Sequence, residues 1–215
     1  MSTHVFFLLD MTGSMSRNKE ATIDACNEFI GAQQSNPGAD DSVFTLGVFN
    51  SNIGLERIVR EVSLDRAPRI DLEHYRPDGA TPLYDAVGEA MTLLESHTGP
   101  VLFIIQTDGE EISSRRVTRD EVLTRVAEKT AAGWQFVYLG CDIDAMQQGG
   151  KLGIPVGNTM SYRRSDTEDA FHSLTASTTA YMAQGSAASG SFFKRTPASL
   201  DAQGDGNDSD PYSPQ

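Results

Sequence analysis

The chain has 215 residues, 39% hydrophobic and 22% charged, which suits one packed domain and excludes a wholly disordered chain. Its 30 Asp and Glu against 17 Lys and Arg give a formal charge of −13, which argues against sequence-independent nucleic-acid binding and against docking on anionic lipid. No apolar run reaches the roughly 18 residues of a membrane span, no secretion signal is legible at the start, and two distant cysteines, Cys26 and Cys141, imply no disulfide framework. A soluble protein in a reduced, cytoplasmic setting is expected.

In chain order, His4–Leu9 is a short run rich in Phe, Val and Leu, the pattern of a strand buried on both faces. It ends in Asp10-Met11-Thr12-Gly13-Ser14-Met15-Ser16, after which Ile23, Cys26 and Ile30 recur at helical spacing. Val43–Phe49 predicts a second strand. The turn residues Asn50-Ser51-Asn52 join it to a third over Leu55–Val62, and so short a loop predicts an antiparallel hairpin. After Asp78-Gly79-Ala80-Thr81-Pro82, one helical stripe runs through Leu83, Ala86, Val87, Ala90, Met91 and Leu94. Val101–Gln106 predicts a strand leading into Thr107-Asp108-Gly109-Glu110. A helix is expected over Thr118–Ala132, with Val122, Val126 and Thr130 inward and Gly133 as its stop. Gln135–Leu139 predicts another strand. A last helix follows Ser165-Asp166, with Phe171, Leu174, Thr178 and Tyr181 inside.

Alternating strands and helices predict an α/β domain over residues 1–184. Its architecture is three-layer and doubly wound, Rossmann-like, with a mainly parallel central sheet, one antiparallel edge strand and helices on both faces. Residues 185–215 are dominated by Gly, Ser, Asp and Pro, and the composition predicts a flexible tail. Within it, Phe192–Phe193 beside Lys194 and Arg195 reads either as a local contact or as a short docking motif.

Doubly wound sheets carry their sites beyond the carboxyl ends of the strands, where the strand order reverses. If the strands ending at Asp10 and Thr107 are neighbours, about 4.8 Å apart, two carboxylates, Asp10 and Asp108, meet there. That arrangement raises a carboxyl pKa unless a cation intervenes. Thr12 and Ser14 from the first loop and Thr81 from the loop before the Leu83 helix supply three hydroxyls. Every donor is oxygen, the set preferred by hard ions, and His4, His74, His97 and His172 show no metal spacing, so Mg2+ or Mn2+ is the expected ion. Singly, each residue has a plainer explanation. Asp10, Ser14 and Thr81 could be helix caps, with Pro82 in the first helical position, and Asp108-Gly109 could be a turn.

Taken together, Asp-x-Thr-x-Ser after a first buried strand, a later Gly-Ala-Thr-Pro-Leu-Tyr-Asp and Thr-Asp-Gly after another strand resemble the von Willebrand factor A (VWA) domain. The likeness spans about residues 3–160 and is narrower towards free-standing VWA proteins of bacteria and phages. It implies a VWA fold and a metal-ion-dependent adhesion site (MIDAS) with Asp10, Thr12, Ser14, Thr81 and Asp108 as ligands. It also implies binding rather than catalysis. The family usually has serine where Thr12 stands; threonine keeps the hydroxyl and adds a methyl, so altered affinity is expected.

The expected function is metal-dependent protein binding, in which the ion coordinates an acidic residue of a partner protein. Arg115, Arg116, Arg119 and Arg125 read as a solvated helix face or as a patch steering that partner. The alternative is a metal-dependent phosphatase or hydrolase using Asp10. Such enzymes carry a second Asp two positions on, where this chain has Thr12, so no enzyme is expected. Gly149-Gly150-Lys151-Leu152 lacks the rest of a phosphate loop, and Asp205–Asp210 lacks the turn glycine of a calcium loop.

Overall fold

The computed structural model describes residues 2–184 and 191–193. Strands form where the apolar runs occur: β1 (His4–Asp10), β2 (Val43–Asn50), β3 (Gly54–Ser63), β4 (Val101–Thr107) and β5 (Gln135–Cys141), with a sixth, β6 (Thr159–Tyr162). They make one sheet in the order β3-β2-β1-β4-β5-β6. All pairings are parallel except β2 with β3, the hairpin at the edge. Pairing β1 directly with β4 sets Asp10 beside the end of the strand that carries Thr107 and Asp108.

Strand alternation explains why the runs are apolar on consecutive residues. Val5, Phe7 and Leu9 pack on one face of the sheet with Cys26, Phe29 and Ile30 of α1 (Lys19–Gln34) and with Phe171, Leu174 and Tyr181 of α5 (Thr167–Gln184). Phe6 and Leu8 face the other side, with Leu83, Val87 and Met91 of α2 (Leu83–Leu93) and Val122 and Val126 of α3 (Arg119–Ala131). Each side chain buried this way adds about 1.5–3 kcal/mol, so both faces need their helices. The result is the expected three-layer α/β sandwich. None of the described helices is long and apolar enough to cross a membrane.

Three details differ from the sequence expectation. A short helix, α4 (Ala145–Lys151), and β6 lie where no element was expected. Thr130 is exposed, not inward, because Val122 and Val126 alone carry the buried stripe of α3. The Thr118 side chain and Glu121 form a reciprocal capping box at its start, and Gly133 (φ 94) ends it. Within the stretch expected to be a flexible tail, Ser191–Phe193 packs locally. Phe192 N–H donates to Asn158 Oδ1 (3.1 Å), Phe193 N–H donates to the Gly157 carbonyl (3.0 Å), and both rings are buried with Tyr181 nearby. The rest of 185–215 lies outside the described residues.

Candidate metal centre

The loop after β1 leaves the sheet with its carboxylate turned back. Asp10 Oδ1 accepts the Thr12 N–H at 2.7 Å, and Asp10 Oδ2 accepts the Thr107 hydroxyl. A single 3-10 turn (Gly13–Arg17) follows, so Ser14 comes round to the same side as Thr12, with Thr12 Oγ1 and Ser14 Oγ 3.1 Å apart. Ser14 donates to Asp108 Oδ1 at 2.5 Å. Four of the five sequence-predicted residues are thereby joined in one hydrogen-bonded chain. Asp10, Thr12 and Asp108 are buried, and Ser14 opens to solvent.

The second loop is pinned to the first through its backbone. Asp78 N–H donates to the Met11 carbonyl (3.0 Å) and Gly13 N–H to the Gly79 carbonyl (2.9 Å). Gly79 has φ 71, and a Cβ there would sit 2.7 Å from Ser51 Oγ, so the close crossing needs glycine. Gly109 makes the third approach: a Cβ on it would fall 2.6 Å from Thr81 Oγ1. Thr81, the fifth residue, therefore sits against the Asp108-Gly109 segment.

The capping explanations fail on geometry. Neither Thr12 nor Asn18, which precede the 3-10 turn and α1, uses its side chain as a cap, and Asp10 and Ser14 bond elsewhere. At α2 the cap position is Pro82, not Thr81. The first N–H groups of that helix are met from another loop: Tyr84 N–H donates to Glu111 Oε2 (2.8 Å) and Asp85 N–H to Ser114 Oγ (3.0 Å). With those donors satisfied, the Thr81 hydroxyl makes no hydrogen bond among the described residues.

Sequence reasoning missed the groups that hold these side chains in place. Tyr75, buried, donates its phenol to the Asp10 carbonyl at 2.5 Å. Thr107 holds Asp10 Oδ2 and also accepts the Gly109 N–H at 3.0 Å. Arg164, after β6, lies 3.5 Å from Asp108 Oδ2 and 3.2 Å from Asp142 Oδ2. The adjacent Thr in Thr-Asp-Gly was a legible signal for Thr107; no spacing pointed to Tyr75 or Arg164. The arginines expected as one patch divide. Arg116 pairs with Glu89 (2.8 Å), and Arg125 bonds the Gly88 carbonyl (2.9 Å) and Thr92 Oγ1 (2.8 Å). Arg115 and Arg116 precede α3 and line a cleft of about 450 Å³ with Asn50, Asn52, Pro82 and Asp85.

Electrostatically the site holds more negative charge than burial favours. Desolvation pushes the Asp10 carboxyl up to about 6, against the pull of the Thr107 and Thr12 hydrogen bonds, and the nearby Asp108 adds to the rise. Burial likewise raises Asp108, while Ser14 and Arg164 oppose it. Asp108 Oδ2 is buried with no hydrogen-bond partner in the structure. Two carboxyls raised by burial and three hydroxyls fit a hard divalent cation. The site contains no imidazole or thiolate that would favour a softer ion.

No protein-family model and no curated protein matches the sequence, but many solved structures resemble the fold. The von Willebrand factor domain of the type V pili tip protein Mfa5 from Porphyromonas gingivalis is 8% identical, with a TM-score of 0.61, covering 82% of this chain and 95% of that one. The pilus adhesin SpaC from Lactobacillus rhamnosus GG is 14% identical, with a TM-score of 0.60, covering 83% of this chain and 30% of that one. Proximal thread matrix protein 1 from the mussel byssus is 13% identical, with a TM-score of 0.59, covering 83% of this chain and 46% of that one. A further structure of the mussel protein, at a TM-score of 0.51, has a zinc occupied MIDAS motif. The chain thus spans under half the length of the mussel protein and of SpaC. Identities this low speak to architecture, and together with the strand order and the antiparallel edge they give one conclusion: this chain has the von Willebrand factor A fold.

Proposed function

We propose that the chain is a metal-dependent protein-binding domain in which Asp10, Thr12, Ser14, Thr81 and Asp108 hold Mg2+ or Mn2+ and an acidic residue of a partner protein completes the coordination. The observation that carries this reading is the convergence of three separate loops on one oxygen-only centre, with two carboxyls that burial pushes upward. When bound, the ion supplies a concentrated positive centre on a chain of net charge −13, and a Glu or Asp carboxylate is its natural complement.

The adhesin and thread-matrix proteins that share the fold support a binding role over an enzymatic one. Asp10 fits a structural acid better than a nucleophile, because both of its oxygens already accept hydrogen bonds. The free, buried thiols of Cys26 and Cys141 suit the reducing, cytoplasmic setting we propose.

Calorimetric titration with MgCl2 and MnCl2 tests the centre. One ion should bind per chain, and Asp10→Ala should abolish detectable binding while the fold is kept. Affinity capture from lysate in Mg2+ should then release its bound protein with EDTA. A stoichiometric partner that stays through excess chelator would overturn the metal-dependent reading.

A further inference from the structure

Asp108 has two oxygens in different surroundings. Oδ1 accepts the Ser14 hydroxyl, on the side of Thr12 and Asp10. Oδ2 is buried and unpartnered, and the nearest cation is the Arg164 guanidinium, Nη2 at 3.5 Å. That guanidinium is itself held. Its Nη2 lies 3.2 Å from Asp142 Oδ2, and the Arg164 backbone N–H donates to Asp142 Oδ1 at 3.0 Å. Asp142 takes a left-handed backbone (φ 54), which is costly for a non-glycine residue, and its N–H is fixed by the Tyr162 carbonyl at 2.8 Å. Arg164 Nε is buried and finds no partner. The β5–β6 end of the sheet therefore presents one positive charge to the oxygen of Asp108 that the hydroxyl chain leaves free.

We infer that Arg164 is an intramolecular rival of the divalent cation, neutralising Asp108 and holding down the affinity of the centre for its ion. This rests on the metal-binding reading above and deepens it. A guanidinium remains charged at all relevant pH and cannot withdraw by losing a proton. A divalent ion held by Asp108 would meet it as a like charge on the other side of the same carboxylate, in a partly exposed site. A partner carboxylate that coordinates the ion couples the two binding events positively, and an ion held weakly by the chain alone depends the more on that coupling.

The test is calorimetric titration of Mg2+, with Mn2+ electron paramagnetic resonance as a second readout, on the wild type, Arg164→Gln, Arg164→Lys and Arg163→Gln. Arg164→Gln should bind Mg2+ about tenfold more tightly, the order expected for removing a unit charge beside a divalent ion in a partly exposed site. Arg164→Lys keeps the charge and should stay within about twofold of wild type, as should exposed Arg163→Gln, which controls for net charge. Arg164→Met retains the aliphatic stem and replaces Gln if circular dichroism shows a perturbed fold. Unchanged or weaker binding in a folded Arg164→Gln protein overturns the proposal, the weaker result meaning that the guanidinium instead holds Asp108 in place. Absence of Mg2+ and Mn2+ binding in wild type and variants alike overturns the metal centre itself. Binding by Arg164→Gln alone supports the rivalry in its strongest form.

Discussion

His4 shows how much one buried ionisable side chain can impose. It opens β1, is nearly inaccessible to solvent, and contacts Thr45 Oγ1 through Nε2 at 2.9 Å. Burial drives its pKa down to about 4, with neighbouring His97 and Arg57 pushing the same way. An unfolded histidine titrates near 6.5, so between those values the unfolded chain takes up a proton that the folded one refuses. His4 alone should therefore cost about 2 kcal/mol of stability between about pH 7.5 and about pH 5, while Asp10, whose raised carboxyl takes up a proton in the folded chain over the same range, offsets part of that loss. In urea unfolding, the stability difference between the wild type and His4→Gln, which retains a hydrogen-bonding group towards Thr45, should change by about 2 kcal/mol across that range. At the same scale, the candidate residues were marked in the sequence by their setting: Asp10 closes an apolar run, Thr12 and Ser14 flank Gly13, Asp108 precedes Gly109, and Thr81 stands just before the Leu83 helix. Tyr75, Asp142 and Arg164 were not, because their relation to Asp10 and Asp108 depends on contacts between segments that carry no shared spacing.

Among elements, α2 and the loop after β4 are fastened to each other reciprocally. Glu111 and Ser114 receive the first N–H groups of α2, and Asp85 in its first turn accepts the N–H groups of Arg115 (2.9 Å), Arg116 (2.9 Å) and Val117 (2.8 Å). Burial works to raise the Asp85 carboxyl, yet those three donors and the Arg116 guanidinium hold it below the ordinary range. Asp85→Ala should cost about 3 kcal/mol in chemical denaturation, since it orphans several charge-assisted hydrogen bonds. Amide exchange should accelerate first at residues 115–117. This fastening was hidden in the sequence, where Asp85 interrupts an otherwise apolar stripe without naming its partners. The long elements were readable: β1, β2, β4 and β5 as unbroken apolar runs and α2 and α5 by their periodicity. The short ones escaped for physical reasons. β6 has four residues, too few to show alternation, and α4 contains Gly149 and Gly150, which weaken any helical signal.

At the scale of the whole molecule, the segment Ser191–Phe193 returns to the domain. Phe192 and Phe193 are buried and join the core that contains α1, α5 and the β-sheet face they cover. Composition could not reveal this, because two aromatic residues in a polar stretch carry too little apolar area to predict where they dock. Phe192→Ala should lower stability by about 3 kcal/mol, measured by urea unfolding, as expected for truncating a buried aromatic ring. A double variant whose loss departs from the sum of the two single losses would mark Phe192 and Phe193 as one unit.

The candidate ligands come from three stretches of chain that meet only once β1 and β4 have paired and the loop before α2 has crossed over them. The first loop carries three of the five candidates but only one of the two carboxylates, so an ion held by all five would act as a stitch through distant parts of the polypeptide. Its affinity for the unfolded chain should be negligible, and its grip would then report assembly of the sheet as a whole. A cation that a partner needs for docking would in this way also certify that the domain offering it has folded.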